Sequence, residues 1–348
     1  MIKVVFKRSS IALLALTLLL PALVSSSQAN EVTSLACKTP QGVADVGSLV
    51  IGAANQQLPT IEWGIRQGCF KKFGLTVKSA PVSSFPVGVA GIIGKSYDLY
   101  VTTSVNVIKS VADGSFAGKY VASKYGYTAS ELLRARSAPF YPGELLMGSG
   151  VIVSKGSGIK TFTDLNNKKV AVLSIDGVDQ AGILLYMREA GIRKPKTEFL
   201  VLSNIQMADA LKRGDVDAVV AIDPYASQIV KDGGEVIGYP QAYFQEPGPA
   251  VVFMSSAEIV NSKARTMRVF QKANLEINRL LNKPENEASL RQIIAEVTKV
   301  SPEIANKVRL STMSETSITI SQLAYLPSKL KRVGFMKGRF DLGPIIFK

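Results

Sequence analysis

The chain has 348 residues, 47% of them apolar and 20% charged, the balance of a globular protein long enough for two domains of ordinary size. Lys and Arg number 41 against 27 Asp and Glu, and histidine is absent. That absence removes the side chain most used for proton transfer near neutral pH and for holding zinc, copper or non-haem iron, so most hydrolase and metalloenzyme readings weaken at once.

Residues 1–29 read as a secretory signal peptide: a cationic start (Lys3, Lys7, Arg8), an apolar run from Ile11 to Val24, and small residues at Ser27 and Ala29. The run is interrupted by Pro21 and falls short of the roughly 20 residues that span a bilayer. A soluble mature chain in the periplasm is expected, still basic, with 38 cations against 27 acids once the three leader cations are gone. Cys37 and Cys69 are the only cysteines, and an isolated pair in an exported protein is expected to form a disulfide.

From Ser48 the chain reads strand (Leu49 to Gly52), polar loop (Asn55 to Leu58), a helix opened by Pro59 with Ile61, Ile65 and Cys69 on one face, and a strand from Leu75 to Lys78. The loop Val82-Ser83-Ser84 leads to a helix ending near Lys95, then to a strand from Tyr97 to Val101 with the polar end Thr102-Thr103-Ser104. The same β-α-β-α-β order recurs at Lys169. A strand to Leu173 meets the loop Ser174 to Gly177, a helix ending at Gly191, and a strand from Phe199 to Leu202. Asn204 then reads as the cap of a helix that Gly214 ends, and a strand from Val216 to Val220 runs into Asp223-Pro224-Tyr225. Two such units imply an α/β protein with two lobes of parallel-rich sheet flanked by helices, and ligand loops at the carboxyl ends of the strands facing each other across a cleft. After Pro249 one more strand is followed by helical patterns that need a partner, and the simplest packing returns them to the first lobe. The expected organisation is 30–147 in the first lobe, 148–243 in the second, and 244–348 back in the first. Hinge crossings are expected near Gly148 to Val153 and near Gly238 to Gly248.

Several motifs carry less than they first suggest. Gly88 to Ser96 looks like a phosphate-binding loop, but the required first glycine would fall at Val89, and Gly94-Lys95 ends a helix instead of opening one. Lys and Arg are spread along the chain without a basic, aromatic-interleaved stripe, so no nucleic-acid partner is expected. The cluster at Lys329, Lys331 and Arg332 reads as a solvated helix face. Asp176-Gly177 sits between strand and helix, where backbone N–H groups can receive an oxyanion or serve as a simple cap. Ser83, Ser84, Thr103 and Ser104 are uncharged donors at equivalent places in the first lobe, each with helix capping as the plain alternative. Asp223 and Tyr225 end a strand, where Asp223 can cap a helix or meet a ligand. Trp63, the only tryptophan, is either cleft-facing or packed under the Cys37 segment, and packing is the better reading.

The words Gly158-Ile159-Lys160, Thr163-Asp164-Leu165, Lys168 to Val172, Glu189 to Ile192, Asp209-Ala210-Leu211, Gly214 to Ala218 and Asp223-Pro224 resemble the solute-binding proteins of bacterial ABC importers. The likeness is to the nitrate/sulfonate/taurine branch, which includes binders of thiamine-pyrimidine precursors. Gly68-Cys69-Phe70, Phe73-Gly74-Leu75 and Tyr97-Asp98-Leu99 extend it more loosely to the first lobe. The Glu-Pro common in that family is Asp223-Pro224 here, and a loop commonly rich in glycine is Thr102-Thr103-Ser104. The resemblance implies a type II periplasmic-binding-protein fold and capture of a small, expectedly anionic solute in the cleft. It also implies delivery to an inner-membrane permease with its cytoplasmic ATPase, with no enzymatic activity and no cofactor, and a monomer is expected. The contact loops it implies supply Gln56, Gln57, Ser83, Ser84, Thr102, Thr103, Ser104, Ser149, Ser174, Asp176, Gly177, Asp223 and Tyr225. The alternative is an exported enzyme or a sensor subunit on the same fold, for which the cleft would need an acid/base pair drawn from carboxylates such as Asp176 and Asp223.

Overall fold

Strands with buried faces alternate with short helices along most of the chain, and the computed structural model describes them for residues 36–38, 40–137 and 145–348. The expected signal peptide lies outside the described residues. In chain order, β1 (Gly47–Ala53), α1 (Leu58–Arg66), α2 (Cys69–Lys72), β2 (Leu75–Pro81), α3 (Phe85–Ile93), β3 (Leu99–Thr103), α4 (Ser104–Ala112), β4 (Gly118–Tyr127) and α5 (Ala129–Ser137) come first. The second stretch holds β5 (Ser149–Ser154), β6 (Lys169–Val172), α6 (Val178–Glu189), β7 (Glu198–Val201), α7 (Asn204–Arg213), β8 (Ala218–Ile222), α8 (Tyr225–Lys231), β9 (Gly234–Gly238) and α9 (Pro240–Phe244). The return holds β10 (Gly248–Ser256), α10 (Ala257–Ser262), α11 (Ala264–Leu281), α12 (Glu287–Thr298), α13 (Pro302–Lys307), α14 (Ile320–Leu323) and α15 (Leu326–Val333).

Two five-stranded sheets result, ordered β2-β1-β3-β10-β4 and β7-β6-β8-β5-β9. In each, three strands read from the sequence are parallel and two more are antiparallel to their neighbours, β10 (also read from the sequence) and β4 in the first and β5 and β9 in the second, as in the pairings Val251 to Thr103 and Val151 to Val220. The sheets are therefore mixed, and the α/β two-lobe expectation holds.

Local chemistry explains the differences from the sequence reading. The first helix stops at Arg66 because Gly68 takes a left-handed conformation (φ 71°), which places Cys69 on a separate short helix. The cap of α7 is Ser203 and not Asn204: Ser203 and Gln206 bond reciprocally in a capping box, while Asn204 Oδ1 accepts from the N–H of Ile222. Residues 149–154, expected as part of a crossing, form the strand β5 between β8 and β9. The chain changes sheet before that, because Leu132 and Ala135 of α5 pack in the second lobe's core. It returns through α9, whose Ala242 lies in the second core and Phe244 in the first. α6 bridges the cores, with Val178, Ala181 and Leu185 against the first and Ile183 and Met187 against the second lobe's sheet. It lies so close to α9 that a Cβ at Gly182 would fall 2.0 Å from the Pro240 carbonyl.

Trp63 is fully buried in the core cluster that also holds Cys37, as the packing reading favours, and its Nε1 donates to Ser289 Oγ of α12 at 2.9 Å, which ties it to the returning helix. Met267, Phe270, Ile277 and Leu281 form the buried stripe of α11. Lys329, read as part of a solvated face, donates to the Phe244 carbonyl, and Arg332 pairs with Glu189 at 2.8 Å. The disulfide joins Cys37 and Cys69. Among the described residues no helix is long and apolar enough to cross a membrane.

Candidate functional site

Loops from both sheets meet at two chambers that share Gln56, Gln57, Tyr125 and Ile222 as a common wall. The first, about 90 Å³, is lined by hydroxyl groups on one side (Ser83, Ser84, Thr102, Thr103) and by Ser174, Gly177, Asp179 and Gln241 on the other, with Phe85 and Tyr100 as apolar walls. The second, about 80 Å³, is lined by Thr60, Lys124, Tyr125, Gly148, Ser149 and Asp223, and by Val308 to Ser311 of the return.

In the hydroxyl chamber, Thr103 is the cap of α4 and accepts from the Asn106 N–H at 3.3 Å, as its plain capping role anticipates, while still facing the chamber. Thr102 Oγ1 accepts from Asn106 Nδ2 at 3.0 Å, which leaves its own proton to donate. Ser84 occupies the cap position of α3 without a side-chain capping bond. Across from them, Asp179 in the first turn of α6 is buried and accepts from Gln241 Nε2 at 3.0 Å, and Tyr127 donates its hydroxyl to Gln241 Oε1. Burial raises the Asp179 carboxyl to about 6, against the single amide bond that favours its charge.

The lysine chamber is built on β4. Lys124 is 3% exposed, and its Nζ donates to Gln57 Oε1 at 2.8 Å, while Gln57 Nε2 donates to the Tyr125 hydroxyl at 3.2 Å. Burial pushes the Lys124 ammonium down to about 7. Asp223 is also buried, which raises its carboxyl to about 6, but both of its oxygens are engaged: Oδ1 accepts from Ser227 N and Oγ, and Oδ2 accepts from Arg309 N at 2.8 Å. Its capping role is therefore realised, and it also ties the returning segment to the second lobe.

Ten of the thirteen expected contact residues line these chambers: Gln56, Gln57, Ser83, Ser84, Thr102, Thr103, Ser174 and Gly177 the first, with Ser149 and Asp223 in the second. Three do not. Ser104 is wholly buried and donates to the Pro249 carbonyl at 2.7 Å, because the first turn of α4 faces β10. Asp176 pairs with Lys109 at 3.3 Å, and its N–H donates to Gln180 Oε1. Tyr225 lines a separate groove with Asn55 and Ile205 and donates to the Thr298 carbonyl at 3.3 Å. The N-terminus of α6, a candidate oxyanion site, carries Asp179 in its first turn and Asp176 just before it, which disfavours a second negative charge there. Lys124, Tyr125, Tyr127, Asp179 and Gln241 are functional candidates that the sequence reading missed. The signal for the first three was a lysine inside a run of aromatic and β-branched residues, Tyr120 to Tyr127, that reads as a strand.

Fold and cleft define the class: a two-lobed protein of the type II periplasmic-binding-protein fold. Residues 151–295 match the NMT1-like family. The alkanesulfonate-binding protein SsuA from Xanthomonas axonopodis pv. citri, solved with MOPS, is similar with a TM-score of 0.67 at 15% identity, covering 89% of this chain and 99% of that one. The periplasmic nitrate-binding protein NrtA from Synechocystis PCC 6803 gives 0.59 at 17% identity, covering 77% and 70%. A cysteine-to-serine mutant of DszB in complex with biphenyl-2-sulfinic acid gives 0.54 at 12% identity, covering 86% and 96%. No curated protein matches the chain in sequence. The resemblance to the nitrate/sulfonate/taurine group of solute-binding proteins, read from the sequence words of the second lobe, is supported by the NMT1-like match, which runs from β5 of that lobe into α12 of the return.

Proposed function

We propose that this chain is the extracytoplasmic solute-binding component of an ABC importer, holding a small anionic, sulfonate- or nitrate-like solute between its lobes and offering the closed form to a membrane permease driven by a cytoplasmic ATPase. The observation that carries the reading is the pair of chambers walled from both sheets, with Gln57, Tyr125 and the Thr102-Thr103 hydroxyls from one and Gly177, Asp179 and Ser149 from the other. A solute seated there contacts both lobes at once, and a ligand that does so favours the closed arrangement by its differential affinity. The names of SsuA and NrtA support the ligand class, and the leader read at residues 1–29 supports the periplasm.

Catalysis is not part of this reading. Histidine is absent and both cysteines are tied in the disulfide, so neither an imidazole base nor a thiol nucleophile is available. The two buried carboxylates line different chambers, Asp179 the first and Asp223 the second. Native mass spectrometry of protein purified without denaturation should release a small anion in unit stoichiometry, recovered unchanged after prolonged incubation with the protein. Chemical conversion of that solute would favour an enzyme on this fold, as would its absence together with turnover of a sulfinate.

A further inference from the structure

We infer that the second chamber is the charge-recognising half of the cleft, in which Lys124 Nζ, Ser149 Oγ and Thr60 Oγ1 receive a compact oxyanion carried at one end of the solute. This deepens the solute-binding reading and rests on it. Lys124 is buried in β4 with Gln57 Oε1 as its hydrogen-bond acceptor, and among the described residues no carboxylate forms an ion pair with it. A buried ammonium without a counter-charge is unfavourable unless something else supplies the charge. The one carboxylate in the chamber wall, Asp223, already accepts three hydrogen bonds from Ser227 and Arg309.

Two hydroxyls in the same wall are also idle. Ser149 Oγ and Thr60 Oγ1 are buried and have no hydrogen-bond partner, and Ser149 is only 3% exposed. Some buried amides packed beside β4 are paired, whereas Gln245 Nε2 and Asn204 Nδ2, which line neither chamber, are not. Asn274 Nδ2 donates to the Ser123 carbonyl, and Asn278 Nδ2 to the carbonyls of Lys124 and Ser314. An ammonium with donors to spare and two unpartnered hydroxyls around one chamber are the complement of an oxyanion, which accepts several hydrogen bonds and brings the missing charge.

Size and charge narrow the solute. The chamber, about 80 Å³, admits a carboxylate, nitrate or sulfonate group. A longer body reaches past the shared wall at Gln57 and Tyr125 into the hydroxyl chamber, where the Asp179 carboxylate opposes a second anionic group. The class is a solute with one terminal oxyanion and a neutral or cationic far end. Of the titratable groups facing Lys124, Asp223, Arg309 and Tyr127 share its chamber and Tyr125 lies beside it with its ring centroid 5.4 Å from Nζ. Burial leaves the ammonium near 7 in the empty chamber, so anion binding there draws in a proton at neutral pH.

The test titrates the mature protein with sodium acetate, nitrate and methanesulfonate against sodium chloride at equal ionic strength. At least one of the three should raise the melting temperature above the chloride control, and comparison among the three assigns carboxylate, nitrate or sulfonate. Calorimetry at pH 7 in two buffers of different ionisation enthalpy should show uptake of about half a proton per anion. Ser149→Ala should weaken the effective anion about tenfold, and Lys124→Met should abolish both its binding and the proton uptake. Lys124→Gln provides the same readout should the Met variant not fold. Equal stabilisation by all four salts, or unchanged anion affinity in Lys124→Met or Lys124→Gln, overturns the assignment. A released solute that carries no oxyanionic group would overturn it too, while leaving the receptor reading standing.

Discussion

Lys109 Nζ stands 3.3 Å from Asp176 Oδ2, an ion pair that runs from α4 of the first lobe to the loop after β6 of the second. Lys109 also pairs with Asp113 of its own helix at 2.7 Å, so the contact between lobes competes with one that survives their separation. Both side chains are partly exposed, 21% and 35%, and such a pair is worth about 0.5 kcal/mol. That is little for folding but acts directly on the proposed closing equilibrium.

Asp176→Asn should therefore weaken solute affinity about twofold, with almost no change in melting temperature. The backbone there is left-handed (φ 55°), which asparagine tolerates well, so the change isolates the charge. Small-angle scattering of the empty variant should give a larger radius of gyration than the wild type. Identical affinity and scattering would mean that the pair takes no part in closure.

The two buried carboxylates should respond oppositely to amide replacement. Asp179 accepts one hydrogen bond, from Gln241, which an asparagine carbonyl can also accept. Asp223 accepts three from two sides, which a single carbonyl cannot. Asp179→Asn should stabilise the empty protein at pH 7 by about 1 kcal/mol, and Asp223→Asn should destabilise it by about 1–2 kcal/mol. Both carboxyls sit near 6, above the usual 3.8, so the stability each contributes is complete below about pH 4 and is lost as pH rises through 6. Denaturant melts at pH 4 to 7.5 should show that decline reduced in Asp179→Asn. A decline as steep as in the wild type would mean that Asp179 ionises normally.

What was legible in the sequence follows from range. The parallel strands of both lobes, such as Leu49 to Gly52 and Val170 to Leu173, announce themselves by short apolar runs between helices, and the loops after them are cleft loops by topology alone. Of the antiparallel-paired strands only β10 was read, and β4, β5 and β9 were missed because their pairing is distant: Ser123 of β4 lies against Val252, and Ser149 of β5 against Ile222. Gly148 and Gly150 made β5 look like a hinge. Lys124 was missed for a related reason. A lysine in a strand reads as solvent-facing, and its burial depends on β10 and on α11, whose Asn278 holds the Lys124 carbonyl from 154 residues away. The partner of Trp63, Ser289, is 226 residues distant, so its direction was beyond local pattern.

The disulfide should matter more for the N-terminal segment than for the cleft. Cys37 and Cys69 are both buried, and the adjoining backbone is held by Cys37 N to the Gln67 carbonyl and Ala36 N to Gln67 Oε1. A bridge between positions 32 apart contributes about 3–4 kcal/mol in the chain-entropy account. The mature protein should gain the mass of two protons on reduction under denaturing conditions. Paired Cys37→Ser and Cys69→Ser substitutions should lower the melting temperature by several degrees and leave solute affinity unchanged. An unchanged melting temperature would show that the bonds to Gln67 suffice.

Lys124 offers the clearest separation of stability from function. In the empty protein its buried ammonium opposes folding, and replacement by an uncharged side chain of similar length removes that opposition. Its folded value near 7 lies below the usual 10.5, so between these limits the unfolded chain binds more protons and stability rises with pH. The contribution is present above 10.5 and is lost as pH falls through 7. Tyr125, pushed up to about 12 by burial, acts in the other direction only above its ordinary value of 10, which leaves a clean window from pH 7 to about 9.5. Over that window the wild type should gain stability in denaturant melts while Lys124→Met stays flat. At pH 7 the variant should be the more stable of the two, by about 1–3 kcal/mol. A wild-type curve as flat as the variant's would show that the ammonium is already compensated in the empty protein, whereas a stabilised Lys124→Met that has lost its anion response would show a residue kept charged for its ligand at the expense of the fold.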